Sequence, residues 1–364
     1  MTGALEFRAR TRIVAGWGCA RQELPQELHA LGARTVGLIA DRGAADAGLL
    51  EPLLAGVRDV RVVVCALIGV DPDVDEAEAA ALAAIECGAE AILAVGGGSA
   101  LCAGKAAAMR LRNPAPLEAY QGRDRLALRP APTIAIPTTA GSGSEVSTVV
   151  VLHDPRHDQH LVIRGRGYEP DVALLDGSLL RTLPARPMVE AAIDALSHCY
   201  EALWARRATP ITDALALAAA AMIRSSLPPA LERREEDLQQ LIVASAMANL
   251  ACGNAELGLV HALSSAPGVH LPHGYQNAVL LPHVAAFNTP VLDGAATAEI
   301  ATLPALYEQL GLRDRFAADD LSPQDVELMV AAALANPFLH NNRRPAGEPE
   351  LRALMAAAGA PVGG

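Results

Sequence analysis

Asp194 and His198 stand four residues apart in IDALSHCYE, a stretch of helical character, so both side chains project from one face about a turn apart. Alone, such a carboxylate and imidazole could be a helix-face ion pair, a hydrogen-bonded core histidine or two ligands of one metal ion. A second segment changes the odds. GLVHALSSAPGVHLPHG, residues 258–274, carries His261, His270 and His273 among residues that are otherwise apolar or small, and His283 follows in LLPHV. His261 falls on a helical stretch, and His273 sits in a Pro-His-Gly turn that can aim its ring inward. Asp194, His198, His261 and His273 together suit a borderline divalent cation, Fe2+ or Zn2+, with one position left for substrate. They suit Mg2+ or Ca2+ poorly, because those ions prefer oxygen.

The first half of the chain carries a different chemistry. Gly96, Gly97, Gly98 and Ser99 form GGGS between a strand-like and a helix-like run, where N–H groups at a helix N-terminus can cradle a phosphate. The turn does not fit G-x-G-x-x-G, since Leu101 holds the last glycine position, and alone it is as compatible with a structural turn. Asp41, closing an apolar run, could accept bonds from a ribose diol or cap the turn before Arg42-Gly43. PTTAGSGSE, residues 137–145, places small hydroxyl and glycine residues, Thr138, Thr139 and Ser142 among them, directly after another apolar run. Such a loop suits close approach to a polar ligand.

These residues need elements to hold them. Runs at 35–41, 60–69, 90–99, 132–139, 147–152 and 171–176 are β-branched and read as strands, with Ala-rich helical segments between several of them. That alternation implies a parallel sheet covered on both faces, with ligands at the carboxyl ends of its strands. Beyond LLRTLP at 179–184 the chain becomes Ala/Leu-rich with helical periodicity, punctuated by prolines, and no strand is evident. The expectation is an α/β domain over 1–180 and an all-helical domain over 181–364.

Composition narrows the function. A formal charge of −12 argues against a nucleic-acid partner. No uninterrupted apolar run reaches the roughly 18 residues of a membrane span, and MTGALEFRARTR lacks the apolar core of a signal peptide. Six scattered cysteines without a C-x-x-C pair favour free thiols. A cytoplasmic protein acting on a small molecule is expected.

Seven segments in order carry a resemblance along most of the chain: RIVAGWGC, the acid at 41, AILAVGGGSALCAGK, PTIAIPTTAGSGSEVS, PDVALLD, DALSHCYEA, and GLVHALSSAPG with LPHGYQNAVLLPHVAAFN. The chain resembles the iron-containing (group III) alcohol dehydrogenases. The resemblance implies the dehydroquinate synthase-like fold, with a Rossmann-like dinucleotide-binding domain, an all-α domain and a cleft holding coenzyme and metal. Carried over by position, the metal ligands would be Asp194, His198, His261 and His273. Coenzyme contacts would come from Asp41, Gly96, Gly97, Gly98, Ser99, Thr138, Thr139 and Ser142, with His160 where the family has a cofactor-facing lysine. The acid at 41 implies NAD over NADP. The implied reaction interconverts a small primary alcohol and its aldehyde by hydride transfer at the divalent metal, in a homodimer.

The chain also departs from the family pattern. Cys102 replaces an Asp, while Lys105 is retained; Ala192 replaces a Gly; and His261 and His273 stand closer together than in typical members. Ser265 stands where many members carry another histidine, which makes His270 the candidate proton relay or pocket residue. Two other readings remain open at this point. One is a maleylacetate reductase-like enzyme, favoured by the small residue at 102, and the other is a catalytically silent binder of NAD or metal.

Overall fold

The computed structural model describes residues 5–362. The chain divides into two compact units, one of residues 9–184 with 233–246, the other of residues up to Arg8, 185–232 and from 247 onward.

The first unit is built on six parallel strands. In chain order they are β1 (Arg12–Ala15), β2 (Thr35–Asp41), β3 (Arg61–Ile68), β4 (Ala91–Gly96), β6 (Thr133–Pro137) and β9 (Val172–Leu175), and across the sheet they run β1-β9-β6-β4-β2-β3. Strand β4, AILAVG, is buried along its whole length, as expected where helices cover both faces. On one face Leu24 and Leu28 of α1 (Cys19–Ala30) and Leu53 of α3 (Leu50–Leu54) pack on Val36, Leu38, Leu93 and Ile136. On the other, the alanines of α4 (Val74–Glu86) and α5 (Gly98–Arg112) pack on Ile39, Ile92 and Ala135. The short α2 (Arg42–Asp46) follows β2.

The chain leaves β2 for the edge strand β3, then crosses back to β4 on the opposite side of β2. Adjacent strands thus send their connections in opposite directions, and a crevice opens at their carboxyl ends. Asp41, Gly96 and Pro137 end the neighbouring strands β2, β4 and β6 at that edge.

One expected strand lies elsewhere. The stretch at 147–152 forms β7 (Val149–Asp154), which leaves the parallel sheet and pairs antiparallel with β8 (Gln159–Arg164) in a small sheet completed by β5 (Gly122–Arg123). The connection at 155–158, with Asp158 at φ 46°, is a tight turn. A parallel neighbour would need a far longer crossover.

The second unit is helical, and among its described residues no strand occurs. Its elements are α6 (Ala185–Leu203), α7 (Pro210–Leu231), the later part of α8 (Glu235–Ala255), α9 (Leu259–Ser264), α10 (His273–Asn288), α11 (Gly294–Ile300), α12 (Leu303–Leu310), α13 (Pro323–Ala335), α14 (Pro337–Asn341) and α15 (Glu348–Ala357). Helix α7 is long and apolar enough to cross a membrane by length and composition. Here it packs on α6, and its Arg224 pairs with both carboxylate oxygens of Glu299.

Candidate functional site

Helix α6 is buried almost continuously from Ala192 to Leu203. Asp194, His198 and Glu201 fall at i, i+4 and i+7, one stripe of the helix. Facing that stripe are His261 on α9 and His273 at the start of α10. Gly274 lets α10 approach, because a Cβ there would lie 2.8 Å from the carbonyl oxygen of Glu190 on α6.

The ligand atoms of Asp194, His198 and His261 all lie within 4.8 Å of one another, and His273 approaches Asp194 from the exposed side. Asp194 Oδ1 lies 3.5 Å from His261 Nε2, 3.7 Å from His273 Nε2 and 3.9 Å from His198 Nε2. The His198 and His261 rings stack at 4.8 Å, and the His273 ring lies 5.2 Å from that of His261. Asp194, His198 and His261 are buried, whereas the side chain of His273 is 47% exposed, so the cluster opens on the His273 side.

The set fits a divalent cation. Tetrahedral bonds of about 2.1 Å put ligand atoms roughly 3.4 Å apart, close to the separations of the three imidazole nitrogens from Asp194 Oδ1. The imidazole tautomer also fits. His261 Nδ1 donates to Glu201 Oε2 at 2.7 Å, which directs its Nε2 lone pair toward Asp194. Histidine ligands characteristically donate their second ring N–H to a carboxylate in this way. Glu201 is fully buried, and its Oε1 also accepts from the Val260 N–H at 2.6 Å and the His261 N–H at 3.3 Å. Asn277 on α10 adds an amide whose Nδ2 donates to Asp194 Oδ1 at 2.7 Å and lies 3.0 Å from His273 Nε2.

The electrostatics follow from burial and pairing. Burial alone would raise the Asp194 carboxyl, but the surrounding His198, His261 and His273 hold it well below the usual range. Burial dominates at His198 and pushes its pKa down to about 4, which keeps the ring neutral and able to donate a lone pair. At His261 the carboxylates of Glu201 and Asp194 outweigh burial and raise the pKa to about 10, so without a cation Nε2 carries a proton, which a bound cation would displace to expose the lone pair.

The strand edge of the first unit gathers a second group. Gly96 has φ +146°, and a Cβ there would meet Asp41 Cβ at 2.4 Å and Ala100 Cβ at 2.8 Å. A Cβ at Gly97 would lie 3.3 Å from Thr139 Cγ2, and one at Gly98 would lie 2.7 Å from Ser142 Oγ. Thr138 donates its N–H to the Gly96 carbonyl at 3.0 Å. Asp41, the glycine turn and the 138–142 loop are therefore in contact, as their chemistry requires. Helix α5 starts at this turn without a side-chain cap, so its first N–H groups are available to a phosphate. Asp41 caps α2 through Ala44 N, with Oδ1 as acceptor. Ser99 Oγ accepts from the Asp71 N–H at 3.0 Å. His160, on β8 opposite His153, has a buried Nδ1 without a hydrogen-bond partner, and burial pushes its pKa down.

Other residues singled out from the sequence are held by local contacts. Lys105 is buried and ties α5 to the start of β7 by donating to the Ser147 and Val149 carbonyls. Cys102 Sγ lies 3.5 Å from Ser144 Oγ. Ser265 donates to the His261 carbonyl, and His283 bonds the Asp314 carbonyl. His270 is exposed on the 265–272 loop, with Asp325 as a charged neighbour, and among the described residues no hydrogen bond joins it to the four-donor set. Glu201 and Asn277 were not singled out from sequence. Their signal is positional, Glu201 continuing the Asp194–His198 stripe and Asn277 standing one turn after His273.

Comparison with known proteins gives a consistent result. The family model for iron-containing alcohol dehydrogenase matches residues 10–177, and that for the Fe-containing alcohol dehydrogenase family, C-terminal, matches residues 188–297. The probable alcohol dehydrogenase EutG of Salmonella typhimurium is 35% identical over 356 residues, covering 92% of this chain and 90% of that one. Among solved structures, a 1,3-propanediol oxidoreductase superposes with TM-score 0.91 at 26% identity, covering 98% of this chain and 100% of its own. A sulfoacetaldehyde reductase from Bifidobacterium kashiwanohense in complex with NAD+ superposes with TM-score 0.87 at 25% identity, covering 98% and 99%.

Proposed function

Because this chain belongs to the iron-containing alcohol dehydrogenase family, we propose that it interconverts a small primary alcohol and its aldehyde with NAD(H) as the redox partner. Asp194, His198, His261 and His273 would hold Fe2+ or Zn2+, and Asp41, Gly96–Ser99, Thr138, Thr139, Ser142 and His160 would hold the coenzyme. When bound, the cation supplies Lewis acidity to the alcohol or aldehyde oxygen and the nicotinamide gives or takes hydride. The observation that carries the reading is the convergence of three imidazole nitrogens on one buried carboxylate, with Glu201 fixing the His261 tautomer.

The protein's own groups have distinct tasks. Glu201 keeps the His261 lone pair pointed inward. The exposed side of His273 leaves room for a small substrate. The uncapped start of α5 receives the pyrophosphate, and the Asp41 carboxylate accepts from a ribose diol while repelling a 2′-phosphate, which favours NAD over NADP. The exposed imidazole of His270 is the candidate for proton exchange with solvent. The complete donor set supports a dehydrogenase over a maleylacetate reductase-like or silent protein. A homodimer in the cytoplasm accords with this reading.

The test is aldehyde-dependent loss of NADH absorbance near 340 nm, using a panel of short aldehydes. Activity should vanish on chelation and return with Fe2+ or Zn2+. His261→Ala should abolish turnover through metal loss while leaving NADH affinity nearly unchanged. Normal turnover by that variant at full metal content would refute the assignment.

A further inference from the structure

Of the six cysteines, two lie in sulfur–sulfur contact far from the four-donor set in sequence. Cys65 Sγ and Cys87 Sγ are 3.7 Å apart, although 22 residues separate them. The pairing arises from a β-bulge. Leu38 of β2 stands opposite Val64, and Ile39 opposite Ala66, so Cys65 is the extra residue of β3. The bulge turns Cys65 and Ala66, consecutive residues, toward the same cluster beneath α4. Gly37 leaves the space for this sulfur, since a Cβ there would lie 3.1 Å from it. Cys87 is the C-cap residue of α4, followed by Gly88 at φ +71°. Both cysteines are half-buried.

Cys65 also bonds the Val63 carbonyl and faces the Leu38 backbone, and Cys87 bonds the Ala84 carbonyl. A disulfide needs sulfurs about 2.05 Å apart, so the pair must close by roughly 1.7 Å. Closure requires rotation of the two side chains, with any remaining movement taken up by the last turn of α4 above Gly88. The other four cysteines differ. Cys19, Cys199 and Cys252 are buried, and Cys102 faces the Ser144 hydroxyl.

We propose that Cys65 and Cys87 form a reversible dithiol/disulfide site that takes a low-molecular-weight disulfide as its oxidant. Burial, together with the neighbouring Cys87, pushes the Cys65 thiol up to about 12, so alkaline pH favours the reaction. One of the two thiolates attacks one sulfur of the reagent L–S–S–L, forming a mixed disulfide and expelling one thiolate. The other cysteine loses its proton to solvent and displaces the second thiolate. The protein dithiol loses two electrons and two protons, and the reagent becomes two molecules of L–SH. The new bond ties α4 to β3, the strand whose Ile68 stands opposite Asp41.

The full-length protein treated with oxidised glutathione at mildly alkaline pH tests this. The expected product has lost two of its six thiols, counted after denaturation, and is lighter by two hydrogens. Peptide mapping should link 65 to 87, and dithiothreitol should restore both thiols. Cys65→Ser and Cys87→Ser should each lose the intramolecular bond and stop at most at a glutathione adduct on the remaining cysteine, and Cys102→Ser should behave as wild type. A wild-type product that keeps all six thiols, halts at the adduct, or joins another pair of cysteines would overturn the proposal.

Discussion

Gly96 and Gly97 adjoin each other in the candidate coenzyme turn, yet the structure assigns them opposite sensitivities. Alanine at Gly96 would meet φ +146°, a conformation costing about 1–3 kcal/mol for a residue with a side chain. Its Cβ would also stand 2.4 Å from Asp41 Cβ and 2.8 Å from Ala100 Cβ. Neither neighbour is the free end of a flexible chain, so β2 or α5 must shift, at about 1–3 kcal/mol more. Gly96→Ala should therefore cost about 2–6 kcal/mol, a fall of at least about 5 °C in melting temperature for a unit of this size. Gly97 has φ −73°, and its Cβ would meet only side-chain atoms at or near ordinary contact, Thr139 Cγ2 at 3.3 Å, Thr139 Oγ1 at 3.5 Å and Asp41 Oδ2 at 3.8 Å. Gly97→Ala should leave the melting temperature within a few degrees of wild type, yet weaken NADH binding, because the methyl enters the space a pyrophosphate needs. Thermal melts and NADH fluorescence titrations on both variants separate the two effects. Equal stability losses at 96 and 97, or unaltered NADH affinity at 97, would refute this account of the turn.

Three further outcomes are expected. Glu201→Ala strands the Val260 and His261 N–H groups and the His261 ring N–H in a dry interior, each at about 1–3 kcal/mol, so denaturant melts of metal-free protein should show at least about 3 kcal/mol of lost stability; wild-type stability would contradict the bonding described. Glu145 is buried and burial pushes its carboxyl up to about 7 from 4.5, so the folded state binds the extra proton. Stability should then fall as pH rises from 4.5 to 7, by on the order of 3 kcal/mol, and Glu145→Gln should flatten that slope in urea titrations. His270→Ala should lower the rate of alcohol oxidation several-fold without changing metal content, and an unchanged rate would remove His270 from the proton path.

Much of the frame was legible because buried parallel strands leave a dense signature. TVGLIAD and AILAVG announce β2 and β4 through unbroken apolar runs. RIVA and QHLVIR were missed as strands, since each is short and partly exposed and owes its form to a neighbour: β9 for the first, β7 for the second. The 233–246 stretch reads as ordinary helix, and only tertiary contacts group it with the first unit; Gln239, for example, bonds Gly177 and Leu175. In the site, Asp194 and His198 were visible because helical spacing pairs them. Glu201 was not, because an acid on a helix ordinarily reads as solvated surface, and only its bonds to His261 reveal its part. The Cys65–Cys87 contact was likewise hidden, since a single bulged residue decides which way a sulfur points.

Asp194, His198 and Glu201 ride on one rigid rod, so adding or deleting a residue upstream within α6 would swing all three off target together. The segment at 265–272 obeys no such restriction, because the helices on either side are anchored independently. A change of length there would therefore leave the α6 stripe in place while altering the approach to the exposed His273.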